Sequence, residues 1–172
     1  MVKSGKYKCI FTLKLQETVI NLIGSYECKV DAKGRLMLPA GLKKQLQPII
    51  SEGFIIKRSV FQKCLELYPM SEWNLEVAGV NKLNRFVKKN TDFIRMFMAG
   101  VRTLEIDTAG RILIPKDLVK FSDVDKEIVL ASSVNRIEIW NKDLYEKVLN
   151  DPGVDFGALA EDVMGNIPPD SE

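Results

Sequence analysis

Two arginines stand at equivalent places in a pattern that occurs twice in the chain. Arg35 ends the segment DAKGR and Arg111 ends the segment DTAGR, and each directly follows a glycine. A guanidinium group is always charged, and its forked N–H donors match phosphate oxygens or the edge of a guanine. Each arginine could instead pair with the aspartate four residues before it and hold a turn. Both roles are compatible, and the presence of the arginine in both copies favours binding.

The surroundings of the two arginines indicate an internal duplication. Residues 26–46 and 102–121 each contain an alternating apolar run, the Asp-x-x-Gly-Arg segment, a second apolar run, and a proline before a leucine-centred segment. The spacing between equivalent positions is constant, which chance similarity explains poorly. The recurring residues are Asp31, Gly34, Arg35, Leu38, Pro39 and Leu42 in the first copy, and Asp107, Gly110, Arg111, Ile114, Pro115 and Leu118 in the second.

Each copy predicts a strand, a tight turn, a second strand and a short helix. Asp31 and Asp107 suit the first position of a type I turn, where the carboxylate accepts backbone N–H groups. Gly34 and Gly110 suit the fourth position, because glycine adopts a positive φ without strain. The following proline cannot donate to a ladder, so it ends the second strand, and it suits the first position of a helix. These helices are expected at residues 40–46 and 116–121.

Each copy is expected to close with two more strands. These strands are predicted at residues 53–58 and 64–69 in the first copy, and at residues 127–131 and 136–140 in the second. Asn141 is a suitable N-cap for a last helix over residues 142–149.

Two helices are expected to link the copies. Apolar residues at a period near 3.6 predict a helix that Ser71 caps and that runs to about residue 88. Residues 88–91 are expected to break it, and Asn90 or Thr91 is expected to cap the second helix. Gly100 suits the position after the end of that helix.

The chain divides into five predicted segments. An N-terminal extension without an assigned function precedes the two repeats, and an acidic tail follows them. An acidic tail is usually a solvated terminus, and packing over a neighbouring subunit is the alternative. The segments are residues 1–21 (extension), 22–70 (first repeat), 71–99 (linking helices), 100–149 (second repeat) and 150–172 (tail).

Composition excludes several classes of function. The 172 residues include 46% hydrophobic residues, enough for a core, and 25 basic against 23 acidic residues give a net charge of +2. That balance neither indicates nor excludes nucleic acid, because local clustering matters more than the sum. With no histidine and three scattered cysteines, neither a zinc site nor a disulfide framework is expected, and a reducing cytoplasm fits. The sequence has no phosphate-binding loop and no catalytic pair of carboxylates outside the turns. We therefore predict no enzyme, cofactor, small-molecule substrate or membrane span.

The doubled motif resembles the MraZ family of bacterial transcription regulators. The segments that carry the resemblance are DAKGR and DTAGR, followed by RLMLP and RILIP, and the likeness covers roughly residues 22–149. That family belongs to the AbrB/MazE-like swapped-hairpin class. The resemblance implies an α+β fold in which duplicated AbrB-like β-barrel units with short helices are related by a pseudo-two-fold axis.

The resemblance also implies a function and partners. It implies a sequence-specific regulator, expected to be a repressor, of the division and cell-wall gene cluster. The regulator would bind repeated promoter elements on double-stranded DNA as a ring-like homo-oligomer in the cytoplasm, associated with the nucleoid. Because one unit reads only a few base pairs, several copies on repeated sites would supply affinity through avidity.

The predicted DNA contacts follow the chemistry of the side chains. Arg35 and Arg111 would read base edges, while Lys33, Lys43 and Lys116 would contact phosphates. The aspartates and glycines of the turns, Asp31, Gly34, Asp107 and Gly110, would support these contacts. The second copy has Ala109 and Val119 where the first has Lys33 and Lys43, so its turn is expected to bind phosphate more weakly. The alternative function is a protein-interaction or antitoxin-like scaffold that does not read DNA.

Overall fold

The computed structural model describes residues 20–166. Nearly all of the predicted N-terminal extension and the last six residues of the chain lie outside this part. Within it, the first copy forms strands β1 (Ser25–Lys29) and β2 (Arg35–Met37), helix α1 (Ala40–Leu46), a 3₁₀ helix (Gln47–Glu52), and strands β3 (Phe54–Arg58) and β4 (Leu65–Pro69). The order of elements follows the prediction.

Two helices link the copies, but they break earlier than predicted. Helix α2 (Met70–Asn81) ends well before residue 88, and α3 (Lys88–Met98) includes the residues expected to break the helix. The reason is local: the side chain of Asn84 accepts the N–H of Phe86 at 2.9 Å and forms a tight turn. From inside α3, Asn90 and Thr91 donate back to carbonyls of that turn.

The predicted caps of these linking helices are wrong. The residue before α2 is Pro69 and the residue before α3 is Val87, and neither helix has a side-chain cap. Ser71 therefore lies in the first turn of α2. Gly100 follows α3 with φ +79°, as predicted.

The second copy repeats the first without a 3₁₀ helix, and two helices follow it, as two helices follow the first. It forms strands β5 (Arg102–Leu104) and β6 (Arg111–Leu113), helix α4 (Lys116–Ser122), strands β7 (Glu127–Ser133) and β8 (Arg136–Asn141), and helices α5 (Lys142–Leu149) and α6 (Phe156–Gly165). Asn141 caps α5 by accepting the N–H of Leu144 at 3.1 Å, as predicted. Pro39 and Pro115 occupy the position just before α1 and α4 rather than the first helical position.

The two copies are interlocked through their strands. A six-stranded antiparallel sheet has the order β1-β7-β8-β4-β3-β5, and β2 pairs with β6 in a separate ribbon. Only the β3–β4 and β7–β8 pairs join strands of the same copy. Within the first copy, the two strands around the turn share only an isolated bridge between Val30 and Leu36. The sheet therefore depends on both copies at once.

The core draws equivalent residues from each copy. Leu42 of α1 and Leu118 of α4 are fully buried, and Phe54 of β3 and Ile128 of β7 are fully buried as well. All four belong to one apolar cluster. The chain is thus a mixed α+β protein with antiparallel sheets and short helices. Among residues 20–166, no helix is long and apolar enough to cross a bilayer.

Candidate functional site

The two arginines lie on one ribbon formed by both copies. Strands β2 and β6 are antiparallel, with Arg35 opposite Leu113, Leu36 opposite Ile112, and Met37 opposite Arg111. Because side chains alternate along a strand, the central pair, Leu36 and Ile112, faces the core, and each is 2% exposed. The other side, which we call the ribbon face, consists of the exposed residues Arg35, Met37, Arg111 and Leu113.

The ribbon face has approximate two-fold symmetry. An approximate two-fold axis passes between Leu36 and Ile112, and rotation about it places Arg35 on the position of Arg111. The ladder extends equally at both ends, since Ile114 N–H donates to the Gly34 carbonyl and Leu38 N–H donates to the Gly110 carbonyl, both at 2.9 Å. The arginines are diagonal neighbours, a relation that spans about 7–8 Å in antiparallel sheets. They therefore lie close together on one surface, whereas the sequence placed them on two related tips.

The first turn has the predicted geometry. Gly34 N–H donates to the Asp31 carbonyl at 2.9 Å, and Gly34 has φ +83°. The Asp31 carboxylate accepts the N–H groups of Lys33 and Arg35, each at 2.9 Å, and the Arg35 Nε–H at 2.7 Å. These bonds from the Arg35 backbone and guanidinium, with that from the Lys33 N–H, hold the pKa of Asp31 below its ordinary value. Arg35 thus holds the turn and remains half-exposed.

The second turn leaves its arginine less constrained. Asp107 accepts the N–H of Arg111 at 2.8 Å, which lowers the pKa of Asp107, and Gly110 has φ +86°. Within the described part of the chain, however, the guanidinium of Arg111 makes no hydrogen bond or ion pair. The turn-holding role therefore applies to Arg35 and not to Arg111.

Lysines from each copy lie at the turn of the other. Lys43 of α1 lies at the second turn, where its Nζ donates to the Ala109 carbonyl at 3.4 Å. Its equivalent, Val119 of α4, packs near Gly34 in the first turn. Because of this exchange, the second turn, which has no lysine of its own, receives one from the first copy. The sequence could not show this exchange, because it depends on the pairing between copies.

The first turn borders a basic cleft of about 500 Å³. Lys33 and Lys116, both predicted phosphate contacts, line it together with Lys126, which sequence reasoning missed. Lys126 lies there because Val30 N–H donates to its carbonyl at 3.0 Å. No local motif marks it, since the contact joins the end of the first strand to the start of β7. Asp31 and Asp125 also line the cleft, so its charge is partly balanced.

The two cysteines in the described part of the chain, Cys28 and Cys64, are free thiols. Burial raises the pKa of the Cys28 thiol to about 11, and burial together with the Glu138 charge raises that of Cys64 to about 12. Neither thiol is a thiolate at neutral pH. Among residues 20–166, no three acidic or cysteine side chains cluster in a way that could hold a metal ion.

Fold and site together define a duplicated α+β protein whose two halves share one arginine-bearing ribbon. A family model described as "MraZ protein" matches residues 22–96 and again residues 96–162, and its description also contains the term antitoxin-like. The chain belongs to the MraZ family.

Curated relatives agree with this assignment along most of their length. The chain is 66% identical to the transcriptional regulator MraZ of Christiangramia forsetii over 148 residues, which cover 86% of this chain and 96% of that protein. It is equally identical to the regulator of Flavobacterium psychrophilum over 146 residues, 85% of this chain and 93% of that protein. The regulator of Clostridium tetani is 35% identical over 139 residues, 81% of this chain and 94% of that protein.

Proposed function

We propose that the protein is a DNA-binding transcriptional regulator that reads duplex DNA with the ribbon face. The observation that carries this proposal is the position of Arg35 and Arg111 as diagonal neighbours on one exposed, approximately two-fold symmetric surface. The curated relatives bear the name transcriptional regulator. An exposed ribbon with two guanidinium groups is a shape and a charge that fit nucleic acid.

The ribbon suits the major groove, which admits a two-stranded β-ribbon. Each arginine can donate two hydrogen bonds to the O6 and N7 atoms of a guanine. Met37 and Leu113, which are 50% and 56% exposed, can contact thymine methyl groups beside those guanines. The ribbon face thereby combines polar and apolar readout within a few base pairs.

The lysines at the turns would position the protein on the phosphate backbone. Lys33 and Lys116 would contact phosphates on the first side of the ribbon, and Lys43 would do so on the second. Such contacts carry no sequence information but fix the register. Asp31 and Asp107, with the turn glycines Gly34 and Gly110, would hold the backbone that carries these groups.

The small size of the ribbon face favours a regulator that binds DNA as an oligomer. A single ribbon covers too few base pairs for tight binding, so several chains would bind repeated promoter elements together and gain affinity through avidity. We propose a ring-like homo-oligomer of duplicated swapped-hairpin units that associates with the nucleoid in the cytoplasm. There it would repress the division and cell-wall gene cluster.

A protein-interaction role is the second candidate. It is favoured by the exposed apolar side chains of α6, among them Phe156 at 78% and Met164 at 64% exposure. An antitoxin-like scaffold would bind its partner through this tail and would not need the arginines of the ribbon.

The deciding experiment is DNA binding by the Arg35→Ala/Arg111→Ala variant. The probe is a labelled duplex from the promoter of the division and cell-wall cluster, titrated with full-length protein across a salt series. Since a bidentate arginine–guanine pair contributes about 1–3 kcal/mol, the variant should lose at least tenfold in affinity. Arg85→Ala, an exposed arginine between α2 and α3 and outside the ribbon, is the control and should bind like the wild type. Unchanged binding by the double variant would remove the ribbon from the site.

A further inference from the structure

Helix α6 presents an apolar stripe that its own chain leaves uncovered. Its apolar residues recur at the helical spacing of one face, and all except Ala160 are exposed. Asp155 caps the helix by accepting the N–H groups of Gly157 and Ala158. A ten-residue helix has little stability by itself in water, and most of its stability comes from packing of its apolar face. The stripe consists of Phe156, Leu159, Ala160, Val163 and Met164.

An apolar cleft of about 460 Å³ lies elsewhere on the same chain. It is formed by the loop between β3 and β4 on one side and by α3 on the other, and we call it the loop cleft. Phe61 of the loop is 92% exposed and Met96 of α3 is 77% exposed. Such large apolar side chains around one concavity mark an interaction site. Its principal apolar lining consists of Val60, Phe61, Phe93, Met96, Phe97 and Phe121.

The charges of the two surfaces are complementary. Between residues 151 and 166 the chain carries Asp151, Asp155, Glu161 and Asp162 and neither lysine nor arginine. The loop cleft is lined by Arg58 and by Lys63, which pairs with Asp123. Helix α3 adds Lys89, together with Lys88 and Arg95, which share the single carboxylate of Asp92, so the surface keeps a net positive charge.

Arg58 brings its positive charge to this cleft. Its guanidinium carbon lies 4.9 Å from the centre of the Phe121 ring, and its Nε–H is buried beside Gly100. An acidic, apolar helix in the loop cleft would match both the apolar lining and this basic edge.

We propose that α6 of one chain docks in the loop cleft of a second copy. This inference rests on the oligomer proposed above and identifies the surfaces that build it. Within one chain, α6 is exposed and does not line the loop cleft. The α6 that fills the cleft therefore belongs to another chain. Because the two surfaces differ, the contact is head to tail, and repetition of such a contact closes a ring or extends a filament.

Each contact is small, which sets the expected behaviour. One short helix buries less than the roughly 800 Å² per partner of a standard interface, so a single contact is weak. Closure of a ring engages both surfaces of every chain and stabilises the assembly. Its mass should therefore fall upon dilution in one cooperative step.

The first test measures the mass of the full chain by size-exclusion chromatography with light scattering. Val163→Glu introduces a charge into the α6 stripe, and Met96→Glu introduces one into the loop cleft. Each should reduce the assembly to a single chain. Leu75→Glu is the control, because Leu75 is an exposed leucine of α2 that does not line the cleft, and it should assemble like the wild type. Thermal unfolding of all variants checks that each is folded.

A mixing experiment tests the head-to-tail geometry. Val163→Glu retains an intact cleft and Met96→Glu retains an intact helix, so an equimolar mixture at high protein concentration should form a dimer that cannot grow and that dissociates more readily than the wild-type assembly. A cross-link gives the same information: Met96→Cys in one tagged chain should form a disulfide with Val163→Cys in another. Leu75→Cys should not. An intrachain disulfide in the Met96→Cys/Val163→Cys double variant would show that α6 folds onto its own cleft, which overturns the proposal.

Two outcomes separate this inference from the proposed function. If Val163→Glu and Met96→Glu both retain the wild-type mass, or if the wild type is a single chain, the interface is wrong. DNA binding that still depends on Arg35 and Arg111 would then stand by itself. The converse outcome is that Val163→Glu loses assembly while Arg35→Ala/Arg111→Ala leaves DNA binding unchanged. In that case the interface stands, and the ribbon is not the DNA site.

Discussion

Lys43 in the first copy donates a hydrogen bond from its Nζ to the carbonyl of Ala109 in the second copy. The contact brings a cation to a turn that has no lysine of its own. In the same way, Lys116 of the second copy lines the cleft at the first turn. The sequence predicted that the first turn is basic and the second only weakly so. In the structure, the helix of each copy lies at the turn of the other, so both turns have lysines nearby.

Removal of the Lys43 charge tests whether this lysine contacts phosphate. In Lys43→Met, DNA affinity should weaken by a similar factor for all sequences, and the slope of log K against log salt should decrease by about 1. Lys82→Met, an exposed lysine next to α2, should leave the slope unchanged. A wild-type slope in Lys43→Met would mean that the ammonium group serves only the Ala109 carbonyl. Fluorescence anisotropy at several salt concentrations makes the measurement.

The turn glycines allow a matched comparison of backbone crowding. A Cβ at Gly34 would lie 2.8 Å from the Ile114 carbonyl oxygen, which β6 holds in place, whereas a Cβ at Gly110 would meet the flexible side chain of Lys43 at 3.0 Å. Both glycines have similar positive φ values, so the left-handed penalty of roughly 1–2 kcal/mol applies to each. Gly34→Ala should therefore destabilise more than Gly110→Ala. If chemical denaturation shows the same loss of unfolding free energy for both variants, the positive φ alone accounts for the destabilisation.

The turn carboxylates should make stability depend on pH in acid. The pKa values of Asp31 and Asp107 lie below 3.8, the ordinary value. A lowered pKa adds stability that is fully present above the unfolded value and is lost as the pH falls through the folded one. Compared with Asp31→Asn/Asp107→Asn, the wild type should be more stable at pH 6, and the difference should shrink below pH 3.8. Asparagine retains one acceptor oxygen for the backbone N–H groups of the turn, and it loses the charge and, at residue 31, the bond to the Arg35 Nε–H. A difference that stays constant from pH 6 to pH 2 would contradict this.

The buried pair of Lys57 and Glu66 offers a test of the core. Lys57 is 1% exposed, and its Nζ donates to the Glu66 carboxylate at 2.9 Å. In Lys57→Met the carboxylate remains buried without its cation, which should cost about 3–5 kcal/mol. Lys57→Met/Glu66→Leu should recover part of that loss. If the double variant is no more stable than the single, the carboxylate is not the cause. Urea unfolding measures all three proteins.

The second copy shows why that pair is specific to the first. At the position opposite Glu138, where the first copy has Lys57 opposite Glu66, β7 carries Ala131. Glu138 accepts the Trp140 Nε1–H at 2.8 Å instead. The copies therefore share a backbone plan but satisfy equivalent carboxylates differently.

Turn chemistry made the centre of each copy predictable. Asp31 and Gly34 act within a few residues of themselves, so their roles follow from sequence alone, and the same is true of Asn141 at α5. The position of the break between α2 and α3 was missed, because the turn at Asn84 is stabilised by side chains from the following helix.

Pairing between the copies was beyond local reasoning. Nothing in the residues around Leu36 shows that its neighbour is Ile112, since the alternating pattern fits any partner strand with an apolar face. The position of Lys126 beside the first turn depends on the same pairing. For the site, the residue types could be derived from the sequence, and their arrangement on one ribbon could not.

The interlocked sheet has a consequence for synthesis of the chain. Strand β1 pairs with β7, and Ser25 of β1 lies opposite Ala131 of β7. The first strand of the sheet therefore has no partner until most of the protein has left the ribosome. Contacts this distant along the chain also slow folding. A chain that ends after the first copy would lack the strands that pair with β1 and β2. We therefore expect the two copies to fold together as one unit, and a truncated product to lack the ribbon altogether.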